Sequence, residues 1–221
     1  MGWLRLCILL QIGAYGMYYI AFASGRLWYL YLRKTFGWKQ EEFIVLKVVR
    51  KSLGISILLL LVPCLKKLKI SDTSLLIIFN VLHALGFLVS GCAISSLPVL
   101  CCGVVLVTFH YPKYALARSL LSQTVGRDEV GRIYSSLAFI SAVVPFFSHP
   151  LYGLIYHNTI DTFPGAFMIC TAFLIAFSAV FMVFNKFLSK SSNTEIVATT
   201  EDVQMEQTDK LLDKVAENIV S

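Results

Sequence analysis

The sequence predicts an all-α, polytopic membrane protein built as a bundle of six transmembrane helices. Three observations carry this. Of 221 residues, 57% are apolar and only 14% are charged, against about 45–50% and about 25% in soluble domains. The mean hydropathy is +0.73, more apolar surface than a soluble chain of this size can hide. Finally, the charges cluster in short loops between apolar runs of the ~20 residues that a helix needs to cross a bilayer.

The expected spans follow in order. Residues 6–25 form an uncharged run ending at Arg26, and residues 43–65 a second that carries cations at its start. The third and fourth cover residues 73–93 and 98–117, the fifth and sixth residues 133–155 and 163–187. Pro98 and Pro164 lie near expected helix starts, where a missing N–H costs least. Residues 1–188 thus make the bundle. Residues 189–221 make an acidic tail, mostly disordered or a short amphipathic helix, with Leu211, Leu212, Val215, Ala216 and Ile219 at helical spacing. The first 190 residues hold 17 Lys/Arg against 6 Asp/Glu, and the rest 2 against 7.

Loop cations give the orientation. A cytoplasmic N-terminus puts nine Lys/Arg inside, among them Arg5, Lys67 and Lys186, and four outside: Arg26, Arg33, Lys34 and Lys39. Both termini are therefore expected in the cytoplasm, in a plasma or lysosomal/endosomal membrane. Arg5 before an apolar run and Ala21-Phe22-Ala23 imitates a signal peptide, but the run is long and contains Gln11 and three tyrosines.

Several classes are excluded. The six cysteines show no C-x-x-C pair and no histidine at zinc-like spacing, so neither a metal site nor a disulfide framework is expected. Gly126–Arg132 imitates a P-loop, but Arg132 and Ile133 replace its Lys and Ser/Thr. No hydrolase or paired-aspartate motif occurs, so the chain reads as no enzyme and as needing no cofactor. Nucleic acid is no partner, because the cations lie at the ends of apolar segments.

Ionisable groups inside spans mark function by default. In the second span the uncharged run Ser52–Leu65 has 14 residues, about 21 Å and too short to cross. Extending it brings in Lys47, Arg50 and Lys51 on one face. Either they line a cavity that receives an anion, or they snorkel to headgroups. His83 lies mid-span in the third helix, on a face with Asn80, Phe87 and Ser90. In the fourth, His110, Tyr114 and Arg118 share a face, and Pro112 loosens the preceding turn. Either histidine is a proton carrier or a neutral ring bonded to a neighbouring helix. Pro145 and Pro150 around His149 imply a bent or broken fifth helix. Arg127, Asp128, Glu129 and Arg132 are expected to form a gating loop, its acids facing the next helix's N-terminus.

Three stretches carry a resemblance: YLYLRKTFGW (Tyr29–Trp38), ARSLLSQTVGRDEVGR (Ala117–Arg132) and PLYGLIYHNTIDTFPGAF (Pro150–Phe167). They resemble the C-terminal half of proton-coupled folate transporter-like solute carriers of the major facilitator superfamily, a group that includes thymic stromal cotransporter homologues. The resemblance covers about residues 1–188. It implies one six-helix half of a two-bundle transporter, with alternating access to a midplane cavity. It also implies a functionally sensitive arginine at Arg118, and symport of a small, anionic, folate-like solute with protons. The expected partners are the bilayer, that solute, and an N-terminal six-helix half or a second copy. The competing reading is a non-transporting membrane interaction protein or inactive truncated isoform.

Overall fold

The computed structural model describes residues 2–93, 96–124 and 130–188; the acidic tail and the Arg127–Asp128–Glu129 loop lie outside them. The described residues are helical, without strands. Helix α1 is Gly2–Ala23, and α2, Trp28–Phe36, is a short helix between spans. Helix α3 is Gln40–Ser56; after one wide turn it continues as α4, Val62–Lys67. Then follow α5 (Asp72–Gly91), α6 (Leu97–Val107), α7 (His110–Thr124), α8 (Val130–Thr159) and α9 (Ala166–Leu188). Among the described residues, six stretches are long and apolar enough to cross a membrane: Leu6–Arg26, Gln40–Lys67, Asp72–Gly91, Leu97–Leu121, Val130–Thr159 and Ala166–Leu188. The second, fourth and fifth run a few residues past the expected ends.

Local chemistry sets the boundaries. The Lys39 N–H donates to Glu42 Oε2 at 2.8 Å and starts α3, and Ser71 Oγ accepts from the Ser74 N–H at the start of α5. Gly37, at φ 68°, ends α2 in the left-handed conformation. Pro63 cannot donate, and its ring crowds the carbonyl four residues back. The turn before it widens, so that the Val62 N–H donates to the Ile57 carbonyl, five residues back. Pro112 acts likewise on Thr108: the helix breaks at Thr108–Phe109, and the Tyr111 N–H takes the Thr108 carbonyl at 3.3 Å. In contrast, α8 stays helical through Pro145 and Pro150.

Packing follows membrane logic. Leu60, Phe146, Phe173 and Phe187 face outward, while Gln11, Asn80, His83, Thr171, Ser178 and Asn185 are buried. Lipid tails are as apolar as leucine, so close approach and interhelical hydrogen bonds hold such bundles together. At the α5–α6 contact a Cβ on Gly86 would lie 2.5 Å from the Val107 nitrogen, and one on Gly103 would overlap Ser90 Oγ. Helices α1 and α9 are joined by polar contacts. Asn185 Nδ2 donates to the Cys7 carbonyl at 2.7 Å, and Gln11 Nε2 to Asn185 Oδ1 at 3.4 Å. At one end, α2 buries Trp28, Tyr31 and Leu32. Burial there pushes the Tyr31 phenol up to about 12, so it stays a donor to the Ser90 and Ala93 carbonyls at 3.0 and 3.2 Å.

Candidate functional site

Residues of α1, α2, α3, α5, α6, α7 and α8 line a cleft of about 470 Å³. Tyr18, Tyr19 and Phe22 of α1, Trp28 of α2 and Phe87 of α5 make its aromatic wall. Arg26, Lys47 and Arg50 stand in its lining, with His83, His110 and His149, and no Asp or Glu is among the lining residues. Arg50 lies over the Trp28 ring, 5.4 Å from its centroid, and Lys47 lies 4.6 Å from that of Phe43. Both keep a cation–π contact, and that of half-buried Arg50 is the partly desolvated kind. The expected stripe divides: Lys47 and Arg50 line the cleft and Lys51 does not; Arg50 is half-buried, whereas Lys47 and Lys51 are exposed.

The floor is built around one helix break. Because the chain breaks at Thr108–Phe109, His110 begins α7 and turns its Nδ1 back to the Val107 carbonyl at 3.1 Å. Its ring stacks on His83, with centroids 5.6 Å apart and planes 25° apart. Beneath them sits Lys113, only 4% exposed. Its Nζ donates to Asn80 Oδ1 at 2.8 Å and meets His83 Nδ1 at 3.2 Å, 4.7 Å from the Tyr18 centroid. No carboxylate pairs with it among the described residues.

Arg118 and Tyr114 belong to a different constellation, which meets the cleft only at Tyr19. Tyr15, Tyr19 and Tyr114 form a hydroxyl triangle with sides of 3.3, 3.2 and 2.9 Å. Arg118 donates to Tyr15 Oη from Nε and Nη2, at 3.4 and 3.3 Å, and lies over the Tyr114 ring at 4.6 Å. Tyr19 alone belongs both to the triangle and to the cleft lining. Of the sequence-predicted residues, then, His83, His110 and Arg50 meet in the cleft, while Tyr114 and Arg118 lie beyond it. Arg132 is exposed at the start of α8.

Sequence reasoning did not select Lys113, Arg26 or His149 as site residues. Lys113 had a usable signal, as a lone cation within an apolar span. The other two are brought in by the packing of α8 and the turn after α1.

No protein-family model matches the chain. A curated protein of Drosophila melanogaster named "Probable peptidoglycan muropeptide transporter SLC46" is 26% identical over 172 residues, covering 74% of this chain and 32% of that protein. The chain thus spans about a third of the length of the curated relative it matches. By its six apolar spans and this likeness, the chain is a multi-pass helical membrane protein similar to an SLC46-type solute carrier.

Proposed function

We propose that this chain forms one six-helix bundle of an alternating-access transporter, and that its cleft receives a carboxylate-bearing organic solute. One observation carries the reading: Arg26, Lys47 and Arg50 line one cleft that has no acidic lining residue. Positive charge held at the edge of a low-dielectric bundle attracts an anion and repels a cation. The aromatic wall accommodates the solute's apolar part. Muropeptides, named for the relative, and folates, implied by the family resemblance, both belong to this carboxylated class. Coupling to a proton is proposed from the family resemblance and not from the two stacked histidines, which stand beside the cations Arg50 and Lys113 with no acidic lining residue. The loop-cation count supports cytoplasmic termini.

The test is equilibrium binding to the full chain in lipid nanodiscs, read by quenching of tryptophan fluorescence. Folate and muramyl dipeptide are compared with an uncharged disaccharide. A charge-assisted hydrogen bond contributes ~1.5–3 kcal/mol, so Arg50→Gln should weaken acid binding roughly ten- to a hundredfold and leave the disaccharide unaffected. If the Lys47→Gln/Arg50→Gln double variant binds the acids as wild type does, the cleft is not an anion site.

A further inference from the structure

The two floor histidines are chemically unlike, and their hydrogen bonds say how. A backbone carbonyl only accepts, so the contact between His110 Nδ1 and the Val107 carbonyl at 3.1 Å puts a proton on that nitrogen. With Lys113 as the ammonium, its Nζ only donates, so the 3.2 Å contact to His83 Nδ1 leaves that nitrogen bare. The neutral rings are therefore opposite tautomers. His83 carries its proton on Nε2, and His110 has a free lone pair on Nε2. Both rings line the cleft, and neither Nε2 has a hydrogen-bond partner among the described residues. The charged groups around the pair are Arg50 of α3 and Lys113 of α7, and among the described residues no carboxylate faces it.

We infer that His83 and His110 form a donor–acceptor pair on the cleft floor that recognises an amide edge of the solute: His83 Nε2–H donates to its carbonyl, and His110 Nε2 accepts its N–H. The inference rests on the cleft being the solute site proposed above. The edge must present both groups on one side. A primary carboxamide, a lactam, or the N–H and C=O of one residue in an extended peptide does so. A carboxylate offers two acceptors and an ester offers no donor, so either would leave His110 facing an acceptor. Lys113 and Asn80 act here as positioning residues. Asn80 fixes the ammonium at 2.8 Å, and the ammonium fixes the His83 tautomer.

Three rigid probes separate the possibilities: 4-carbamoylbenzoate, monomethyl terephthalate and terephthalate, each carrying a carboxylate for the cationic edge. Binding is measured on the full chain in nanodiscs. The carboxamide should bind wild type roughly tenfold tighter than the ester, the size expected of one hydrogen bond whose loss strands a buried acceptor. His110→Phe should bring that ratio near one, and His83→Phe should weaken carboxamide and ester alike. Nitrogen-15 spectra of histidine-labelled wild type test the same point without any variant. They should show His83 protonated on Nε2 and His110 on Nδ1. Equal binding of carboxamide and ester, preferred binding of terephthalate, or two rings of the same form would overturn the pair. If Arg50→Gln still weakens every probe, only the pair fails. If the Lys47→Gln/Arg50→Gln double variant has no effect on any probe, the anion reading of the cleft fails with it.

Discussion

Lys113 is buried with two neutral partners and no carboxylate, so its neighbours contribute more to stability than it does. Replacing Asn80 by Leu keeps the ammonium and removes its shortest contact, 2.8 Å; the expected loss is ~1–3 kcal/mol in reversible unfolding. Lys113→Met removes the charge itself at similar volume, and such replacements are often neutral or stabilising. A Lys113→Met variant less stable than Asn80→Leu would show that the ammonium is a net gain. Around Tyr15 the reasoning concerns shape. Arg118→Lys keeps the charge but loses the planar fork that places Nε and Nη2 on one hydroxyl. Tyr15→Phe removes that hydroxyl, so the two substitutions share a contact and their costs should not add. A double-mutant cycle should return a coupling of ~0.5–2 kcal/mol, and additive costs would mean that the contact carries nothing. The candidate residues were legible wherever an ionisable group interrupted an apolar run, as at His83, His110 and Arg50. Their grouping was not. Whether Lys113 meets Asn80 and His83, some 30 residues away in sequence, depends on how α5 crosses α7, which no periodicity within one helix encodes.

Among the elements, the α5–α6 pair is where backbones approach closely enough for one carbon to matter. A Cβ on Gly103 would crowd Ser90 N at 2.8 Å and the Gly86 carbonyl oxygen at 3.0 Å, neither of which can move without its helix. Gly103→Ala should therefore cost ~1–3 kcal/mol. Gly153→Ala in α8, with nothing within 4 Å of the added carbon, should be neutral or slightly stabilising. Thermal unfolding of the two variants side by side makes the comparison, and equal effects would contradict the close approach. The six apolar runs were plain from composition, because a membrane imposes a minimum length. Two finer features were not. The amphipathic α2 is too short and too mixed in composition to stand out, and it reads as helix only once Trp28, Tyr31 and Leu32 have a surface to dock against. The wide turn before Pro63 and the break before Pro112 have the same cause, a proline that cannot donate, while α8 keeps its helix through two. Sequence marks where a carbonyl will lose its partner; the surrounding packing decides whether the helix breaks.

For the whole molecule, ion pairs and hydrogen bonds sort the loops to two ends. Lys34 meets Asp161 at 3.2 Å, joining the segment after α1 to the one after α8. Lys66 meets Asp72 at 3.0 Å, and Lys186 Nζ reaches Ser74 Oγ at 3.0 Å, at the opposite end. Single cysteines introduced at Lys67 and at Asp161 should therefore label from opposite sides of an intact membrane, with Asp161 outside if the loop cations set the orientation. Labelling of both from one side would rule out this arrangement of spans. The polar contacts between α1 and α9 also bear on how the chain is made. Gln11 and its partner Asn185 are 174 positions apart, which at ~5–20 residues per second of synthesis is a delay of roughly 10–35 s. Throughout that interval the Gln11 Nε2–H has left the ribosome without the Asn185 oxygen that accepts it, in a solvent that offers no hydrogen bonds. The polar face of α1 is therefore completed only once α9 has been made. A chain cut short before α9 would leave the Gln11 donor and the Cys7 carbonyl without the Asn185 side chain that contacts both.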